Sequence, residues 1–140
     1  MATTTAIYLT EHDFKRLRTL LDVALNSPDT SLRPDLRRLN LELERARIVK
    51  SEEIPSDVIT LNSQVVVEDL EDGDVNTWLL TFPNEANISQ NKLSILSPVG
   101  TALLGVRKGD VVEWRAENAS GKLRVKDILF QPEAAGRFDL

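Results

Sequence analysis

The sequence predicts an α+β protein in which an N-terminal antiparallel helical hairpin, a short coiled coil, precedes a small antiparallel β-sheet covered by one short helix. Apolar residues recur at three- and four-residue steps through the first 49 positions, which is the spacing of amphipathic helices. β-Branched runs of strand length follow from position 58. Ser97, Pro98 and Gly105 then delimit one short helix among the strands. We therefore expect the hairpin over residues 1–50, a linker over 51–57 and a sheet domain over 58–140.

Two helices account for the apolar pattern of the hairpin. Thr10 is a suitable N-cap for the first helix, because its hydroxyl can accept a hydrogen bond from a free backbone N–H. Turn-forming residues occupy positions 26–31 and place Asp29 at the hairpin tip. Pro34 suits the first turn of the second helix, whose apolar stripe predicts that it runs to about Val49. Each arm of about 15 residues then spans roughly 22 Å.

The sheet domain contains six strand-like segments. They occupy residues 58–61, 64–67, 77–82, 93–96, 111–114 and 123–130. Asp72 and Gly73 form the signal of a tight turn between the second and third segments. Ala102, Leu103 and Leu104 have two interpretations, either core residues that cover the sheet or part of an apolar groove beside it. The patterning favours core.

Composition excludes several classes of site. The 140-residue chain has no cysteine and one histidine, so it has neither a disulfide framework nor a thiolate metal site. His12 lies among charged neighbours at the start of a helix, where we expect a surface residue rather than a base or ligand. The acidic run 68–74 lacks the ligand spacing of a calcium loop and is interpreted as a charged turn. Without a phosphate-binding glycine loop or a Ser/His/Asp set, the sequence favours a binding protein with no metal or cofactor.

Charge is divided unequally along the chain. Residues 1–50 hold nine Lys and Arg against seven Asp and Glu, a net charge of +2, whereas residues 51–140 hold eight against fifteen, a net charge of −7. The arginines of the second helix either form a solvated face or contact a partner. The acidic total argues against a general nucleic-acid binder. Because no apolar run approaches about 20 residues and the N-terminus lacks a signal-peptide pattern, we expect a cytoplasmic protein.

Residues 93–110, with the sequence LSILSPVGTALLGVRKGD, carry a family pattern. Their Ser-Pro, Ala-Leu-Leu-Gly and Gly-Asp steps resemble the C-terminal domain of the bacterial Gre transcript-cleavage factors. Residues 58–63, residues 131–136 and the abbreviated hairpin make the whole chain similar to a shorter branch of that family, the regulators of nucleoside diphosphate kinase. The resemblance implies an FKBP-like fold for the C-terminal domain, joined to an N-terminal coiled coil.

The resemblance also implies a partner. Gre factors dock their globular domain on the rim of the RNA polymerase secondary channel, and their long coiled coil enters the channel. The docking positions that match in this sequence are Leu96, Ser97, Pro98 and Val99. Leu96 departs from the family pattern, which often has a polar or acidic residue there, so we expect its contacts to differ.

The cleavage activity of the Gre factors is not implied. It needs a pair of carboxylates that help to hold a second metal ion, whereas the tip here offers only Asp29 on a short arm. Prolyl isomerase activity is not implied either, because a fold does not fix a function.

We therefore expect a non-enzymatic regulator that binds bacterial RNA polymerase and competes with Gre-type factors, with DNA contact that is weak or made only through polymerase and no membrane contact. The alternative is control of nucleoside diphosphate kinase, and so of nucleoside triphosphate pools, indirectly through transcription.

Overall fold

A helical hairpin and a five-stranded sheet share one hydrophobic core in the computed structural model, which describes residues 7–26, 34–116 and 118–140. The elements in chain order are β1 (Tyr8–Thr10), α1 (Glu11–Leu25), α2 (Pro34–Arg45), β2 (Arg47–Val49), β3 (Gln64–Asp69), β4 (Val75–Thr81), β5 (Lys92–Ser94), α3 (Pro98–Leu103), β6 (Val111–Arg115) and β7 (Ser120–Phe130). The α+β class is confirmed. The tip residue Asp29, with the rest of the segment 27–33, lies outside the described residues.

The two helices of the hairpin form where the apolar spacing predicts them. Thr10 caps α1, since its Oγ1 accepts a hydrogen bond of 3.0 Å from the backbone N–H of Asp13. The inward-facing leucines of both helices are at most 2% exposed, and they are Leu17, Leu21, Leu36, Leu39 and Leu43. Packing of these buried leucines therefore holds the two helices together, as the apolar spacing in the sequence predicts.

The second helix ends earlier than predicted. It stops at Arg45 instead of about Val49, because residues 47–49 form strand β2 and pair in parallel with β1. The backbone N–H of Arg47 donates to the carbonyl of Ile7 at 2.9 Å, so the chain leaves the helix to make this pair. Ile48, on the predicted helix, is 40% exposed. The strand pair closes the base of the hairpin and was not predicted from the sequence.

The main sheet has the strand order β5-β4-β3-β7-β6. Its pairs are antiparallel except for β4 and β5, which are parallel, a departure from the fully antiparallel sheet predicted. Two short 3₁₀ turns, Pro83–Glu85 and Ile88–Gln90, lie between these strands and return the chain in the same direction. Gly105 follows α3 with φ of +78°, a conformation that favours glycine, and confirms the predicted helix stop.

The predicted strand over residues 58–61 is wrong as an assignment of secondary structure. All four residues are buried, but only Val58 forms a β-bridge, to Arg107. The backbone N–H of Leu61 instead donates to Oδ2 of Asp13 at 3.1 Å. The segment is held by single bonds to several elements, so its β-branched composition reflects burial and not strand pairing.

The short helix lies at the junction between the hairpin and the sheet. It contacts α2, β5 and β6. Its residues Ala102 and Leu103 are buried, as is the following Leu104, which confirms the interpretation of these three as core. Leu103 and Leu104 belong to the hydrophobic core cluster that also includes Leu17 of α1 and Leu80 of β4. The division into residues 1–50, 51–57 and 58–140 stays a prediction.

Candidate functional site

The start of α3 is fixed by hydrogen bonds of one serine side chain. Oγ of Ser97 accepts from the backbone N–H of Gly100 at 3.0 Å and donates to the carbonyl of Ser94 at 2.7 Å. Pro98 occupies the first helical position, where its missing N–H is no loss. The cap and first turn predicted from the sequence are confirmed. Two hydrogen bonds of one side chain therefore tie the start of α3 to the end of β5.

The four predicted docking residues form one contiguous half-buried surface. Leu96, Ser97, Pro98 and Val99 are each partly exposed, and the side chains of Leu96 and Val99 also pack against the core. Just before them, Ile95 is fully buried, and its backbone N–H donates to the carbonyl of Thr81 at 2.8 Å. The buried Ile95 therefore anchors the turn to β4, and the turn exposes an uncharged surface to solvent. It suits contact with another macromolecule better than chemistry.

A cleft of about 160 Å³ opens on the face of the sheet that α3 covers, and Val99 of α3 is one of the residues that line it. Val67 and Leu123, from the adjacent strands β3 and β7, line it between the two tryptophans of the chain, Trp78 on β4 and Trp114 on β6. Gly121 is required here, because a Cβ at this position would lie 2.6 Å from Nε1 of Trp114.

Trp78 and Trp114 were not predicted as site residues from the sequence. Each was placed on a strand, but only the register brings both onto the face beneath α3, with Trp78 opposite Val65 and Trp114 opposite Gly121. The alternation of apolar residues along each strand was the available signal.

The acidic run forms the charged turn that the sequence predicts. The backbone N–H of Asp69 donates to the carbonyl of Asp74 at 2.8 Å, which closes the loop between β3 and β4. Oδ1 of Asp69 accepts from the N–H of Glu71, and Oδ1 of Asp72 accepts from the N–H of Asp74, both at 2.8 Å. Within the described ranges, no group of three or more His, Cys, Asp or Glu residues could hold a metal ion.

Arginines of the second helix have structural contacts. Nη1 of Arg38 donates to the carbonyl of Glu113 at 3.2 Å and so links α2 to β6. Nη1 of Arg45 lies 3.8 Å from Oε1 of Glu42 on the same helix. Neither alternative stated for this helix, a solvated face or a partner contact, included a bond to the chain's own sheet. The basic face is thus partly used within the molecule.

A second basic group surrounds Tyr8 at the base of the hairpin. The guanidinium carbons of Arg47 and Arg107 lie 5.6 and 5.1 Å from the centre of its ring. Arg107 also donates from Nη1 to both carboxylate oxygens of Asp57, at 3.0 and 3.1 Å. These contacts tie the strand pair to the loop after the helical hairpin.

A buried polar network lies below α1. Asp13 is fully buried, and burial raises the pKa of its carboxyl despite hydrogen bonds from Arg16 and from the backbone of Leu61. Burial also raises the pKa of Glu133, whose Oε1 accepts a 2.7 Å hydrogen bond from Oγ1 of Thr60. The network joins the helix to the loop over 60–63 and to the C-terminal segment. His12, which precedes Asp13 in the sequence, is exposed as predicted.

Two family models match the chain. Residues 54–130 match the C-terminal domain of the transcription elongation factors GreA and GreB, and residues 5–49 match the Rnk N-terminus. The chain is 40% identical over 119 residues to the regulator of nucleoside diphosphate kinase of Escherichia coli (strain K12), covering 84% of this chain and 88% of the relative. The chain belongs to the Rnk family.

The Gre factors are further relatives of this Rnk-family chain. It is 31% identical over 130 residues to GreA of Thermotoga maritima, covering 88% of this chain and 83% of the relative. The GreA/GreB structure from Nitrosomonas europaea matches with a TM-score of 0.72 and 33% identity, covering 91% of this chain and all of that one. The family resemblance and the Gre-type fold predicted from the sequence are confirmed. Among the described helices of the Rnk-family chain, none has the length and hydropathy to cross a membrane.

Proposed function

We propose that this protein is a non-enzymatic regulator that binds bacterial RNA polymerase at the rim of the secondary channel and competes there with Gre-type factors. The observation that carries the proposal is the braced, half-exposed turn at Ser97 and Pro98, within the region that matches the GreA/GreB C-terminal domain. A rigid uncharged turn loses little conformational entropy on docking. The proposed contact residues are Leu96, Ser97, Pro98 and Val99. Such a protein acts in the cytoplasm, where its polymerase is.

We infer further that binding does not stimulate RNA cleavage. The segment between the helices contains a single acid, Asp29, and α1 has 15 residues, a length of about 22 Å. The helices also contact the body of the molecule, since Asp13 bonds to Leu61 and Arg38 bonds to Glu113. A short arm with one acid does not supply the paired carboxylates that two-metal hydrolysis needs.

Competition for polymerase tests the docking site directly. The protein is titrated against a labelled Gre factor bound to bacterial core RNA polymerase, and displacement is measured by fluorescence anisotropy. Pro98→Glu places a charge in the turn, yet an acid at the first helical position is favoured by the helix dipole, so the fold should persist. We expect this variant to displace Gre at least tenfold less well, about 1.4 kcal/mol of binding free energy.

Leu129→Glu is the matched control, because Leu129 is 55% exposed and lies at the end of β7 rather than on the docking turn. It should compete like the native protein. Equal displacement by the native protein and Pro98→Glu would move the docking surface elsewhere. No displacement by the native protein would reject the shared site. Repeating the titration at two salt concentrations measures the contribution of the arginines on α2.

A second candidate function is favoured by the name of the E. coli relative, a regulator of nucleoside diphosphate kinase. We propose that any such effect on the kinase or on nucleoside triphosphate pools is indirect, through transcription, since the sequence has no phosphate-binding glycine loop. Calorimetric titration of the purified kinase with this protein discriminates the two. Direct binding would contradict the indirect route.

A further inference from the structure

The cleft beneath α3 combines apolar walls with one charge. Its lining includes the apolar side chains of Val67 and Leu123 and the indoles of Trp78 and Trp114, together with the neutral polar Asn76. Among the residues that line it, Asp69 alone carries a charge. A volume of about 160 Å³ corresponds to roughly five water molecules, the space of one long side chain rather than of a main-chain segment.

The electrostatic field at the cleft favours a cation. Five carboxylates lie within the seven residues 68–74, which include Asp69 and form the turn at one end of the cleft. None of the five makes an ion pair with another residue in the part of the chain that the structure describes. On the neighbouring strand β7, Lys122 and Arg124 alternate with Leu123 and so lie on the opposite face. Glu68 lies between Val67 and Asp69 and so also faces away from the cleft, opposite Arg124. The charge that lines the cleft is therefore that of Asp69, and no Lys or Arg in the lining balances it.

We propose that this cleft binds a lysine or arginine side chain presented by a partner protein. The aliphatic part of such a side chain would lie along Val67 and Leu123, and its cationic end would reach Asp69. Indole faces attract cations through their quadrupole, which adds to the attraction of the carboxylate. A neutral apolar side chain would make the contact with Val67 and Leu123 but would have no attraction to the carboxylate of Asp69 or to the indole faces. The inference does not depend on the identity of the polymerase as partner.

The two indole N–H groups make the cleft visible in solution, because the chain contains only Trp78 and Trp114. In two-dimensional ¹H–¹⁵N spectra of the full-length protein, both indole signals are followed during titration with a short Gly-Ser peptide that carries one central lysine. A second peptide carries norleucine, which has the same aliphatic chain without the ammonium group. We expect saturable shifts of the indole signals with the lysine peptide and binding at least about fivefold weaker with norleucine, the effect of losing roughly 1 kcal/mol of cation contact.

Two substitutions in the same turn separate the cleft charge from the general field. Asp69→Asn removes the charge in the cleft but keeps an Oδ1 acceptor for the N–H of Glu71. Asp72→Asn makes the same change at an exposed residue that does not line the cleft, and keeps its own acceptor for the N–H of Asp74. We expect lysine-peptide binding to weaken at least about fivefold in the first variant and less than twofold in the second.

The peptide titrations have one result that supports the proposal and three that contradict it. Indole shifts with lysine that are lost selectively in Asp69→Asn support the proposal. Equal binding of norleucine would show an apolar subsite, equal loss in both variants would show non-specific attraction to the acidic turn, and unmoved indole signals would show an unused cleft. Each of these three results overturns the proposal. None of them bears on Gre displacement, which Pro98→Glu tests separately.

Discussion

Asp13 joins the first helix to the loop before β3. Its Oδ2 accepts from the backbone N–H of Leu61 at 3.1 Å, while Oδ1 pairs with the guanidinium of Arg16. Arg16 in turn lies 4.8 Å from the ring centre of Phe82 and donates to the carbonyl of Leu140. Burying the carboxylate costs desolvation free energy, which these hydrogen bonds offset only in part, since the pKa of Asp13 stays raised. The pair therefore fixes how the helix sits on the rest of the molecule.

Glu133 gives this network a measurable pH dependence. Its pKa is raised above 4.5 mainly by burial, with a further contribution from the charge of Asp13. A raised folded-state pKa means that ionisation destabilises the fold, fully above that pKa and not at all well below 4.5. Glu133→Gln keeps the acceptor for Thr60 and removes the charge. We expect it to increase the free energy of unfolding at pH 7 in urea titrations, with the gain vanishing as pH falls below 4.5.

Asp127→Asn is the control of opposite sign. The hydrogen bond from Lys108 lowers the pKa of Asp127 below 3.8, so its charge stabilises the fold above 3.8, and that contribution is lost on acidification. This variant should be less stable than the native protein at pH 7 and equal to it at low pH. A pH-independent gain for Glu133→Gln would show that the network does not respond to ionisation of this group.

At the scale of elements, α3 depends on its cap. Helices of six residues have few internal hydrogen bonds, and Oγ of Ser97 supplies one partner for a free N–H as well as a bond back to Ser94. Ser97→Ala should lower the free energy of unfolding by about 1 kcal/mol, the usual cost of losing such a cap. Urea titration followed by circular dichroism measures this change.

Ser89→Ala serves as its control, because among the described residues Oγ of Ser89 bonds only to Oδ1 of Asn87, within an exposed turn. A loss below about 0.5 kcal/mol is expected there. If both substitutions have equally small effects, the start of α3 is held by the packing of the neighbouring core residues and not by the hydroxyl.

Elements with local signals could be predicted, and those set by distant pairing could not. The cap of α1, the turn at Gly73 and the Ser97–Pro98 start of α3 each follow from residue types within a few positions. The end of α2 at Arg45 follows instead from pairing of β2 with β1, in which each residue lies opposite one 39 positions earlier, as Arg47 does opposite Tyr8. The same reason explains why residues 58–61 have strand composition without strand pairing.

The turn at residues 96–99 could likewise be predicted from the sequence, whereas the cleft beside it could not. The four residues of the proposed docking turn are contiguous, so a family motif predicts them. The cleft needs Trp78 and Trp114, which lie on strands separated by β3 and β7. Alternation along one strand indicates which residues share a face of that strand, but it does not give the register between strands. Only the folded sheet brings the two indoles to one cleft.

At the scale of the whole molecule, the hairpin and the sheet are one packing unit. Buried leucines from α1 and α2 belong to the same cluster as residues of β3, β4 and α3. In addition, Arg38 bonds across to β6 and Asp13 bonds to Leu61. Neither part keeps its buried surface without the other, and this predicts cooperative unfolding.

Two probes report on the two parts separately. Both tryptophans belong to the sheet, whereas the helical signal in far-ultraviolet circular dichroism comes mainly from α1 and α2, of 15 and 12 residues. We expect the urea unfolding curves from tryptophan fluorescence and from circular dichroism to coincide in midpoint and slope. Leu39→Ala, in the buried seam of the hairpin, should lower both midpoints together, because a lost core leucine costs about 2–5 kcal/mol. A fluorescence curve that stays at the native midpoint while the helical signal melts earlier would instead show a separately folding sheet domain over residues 58–140, joined to an independent hairpin.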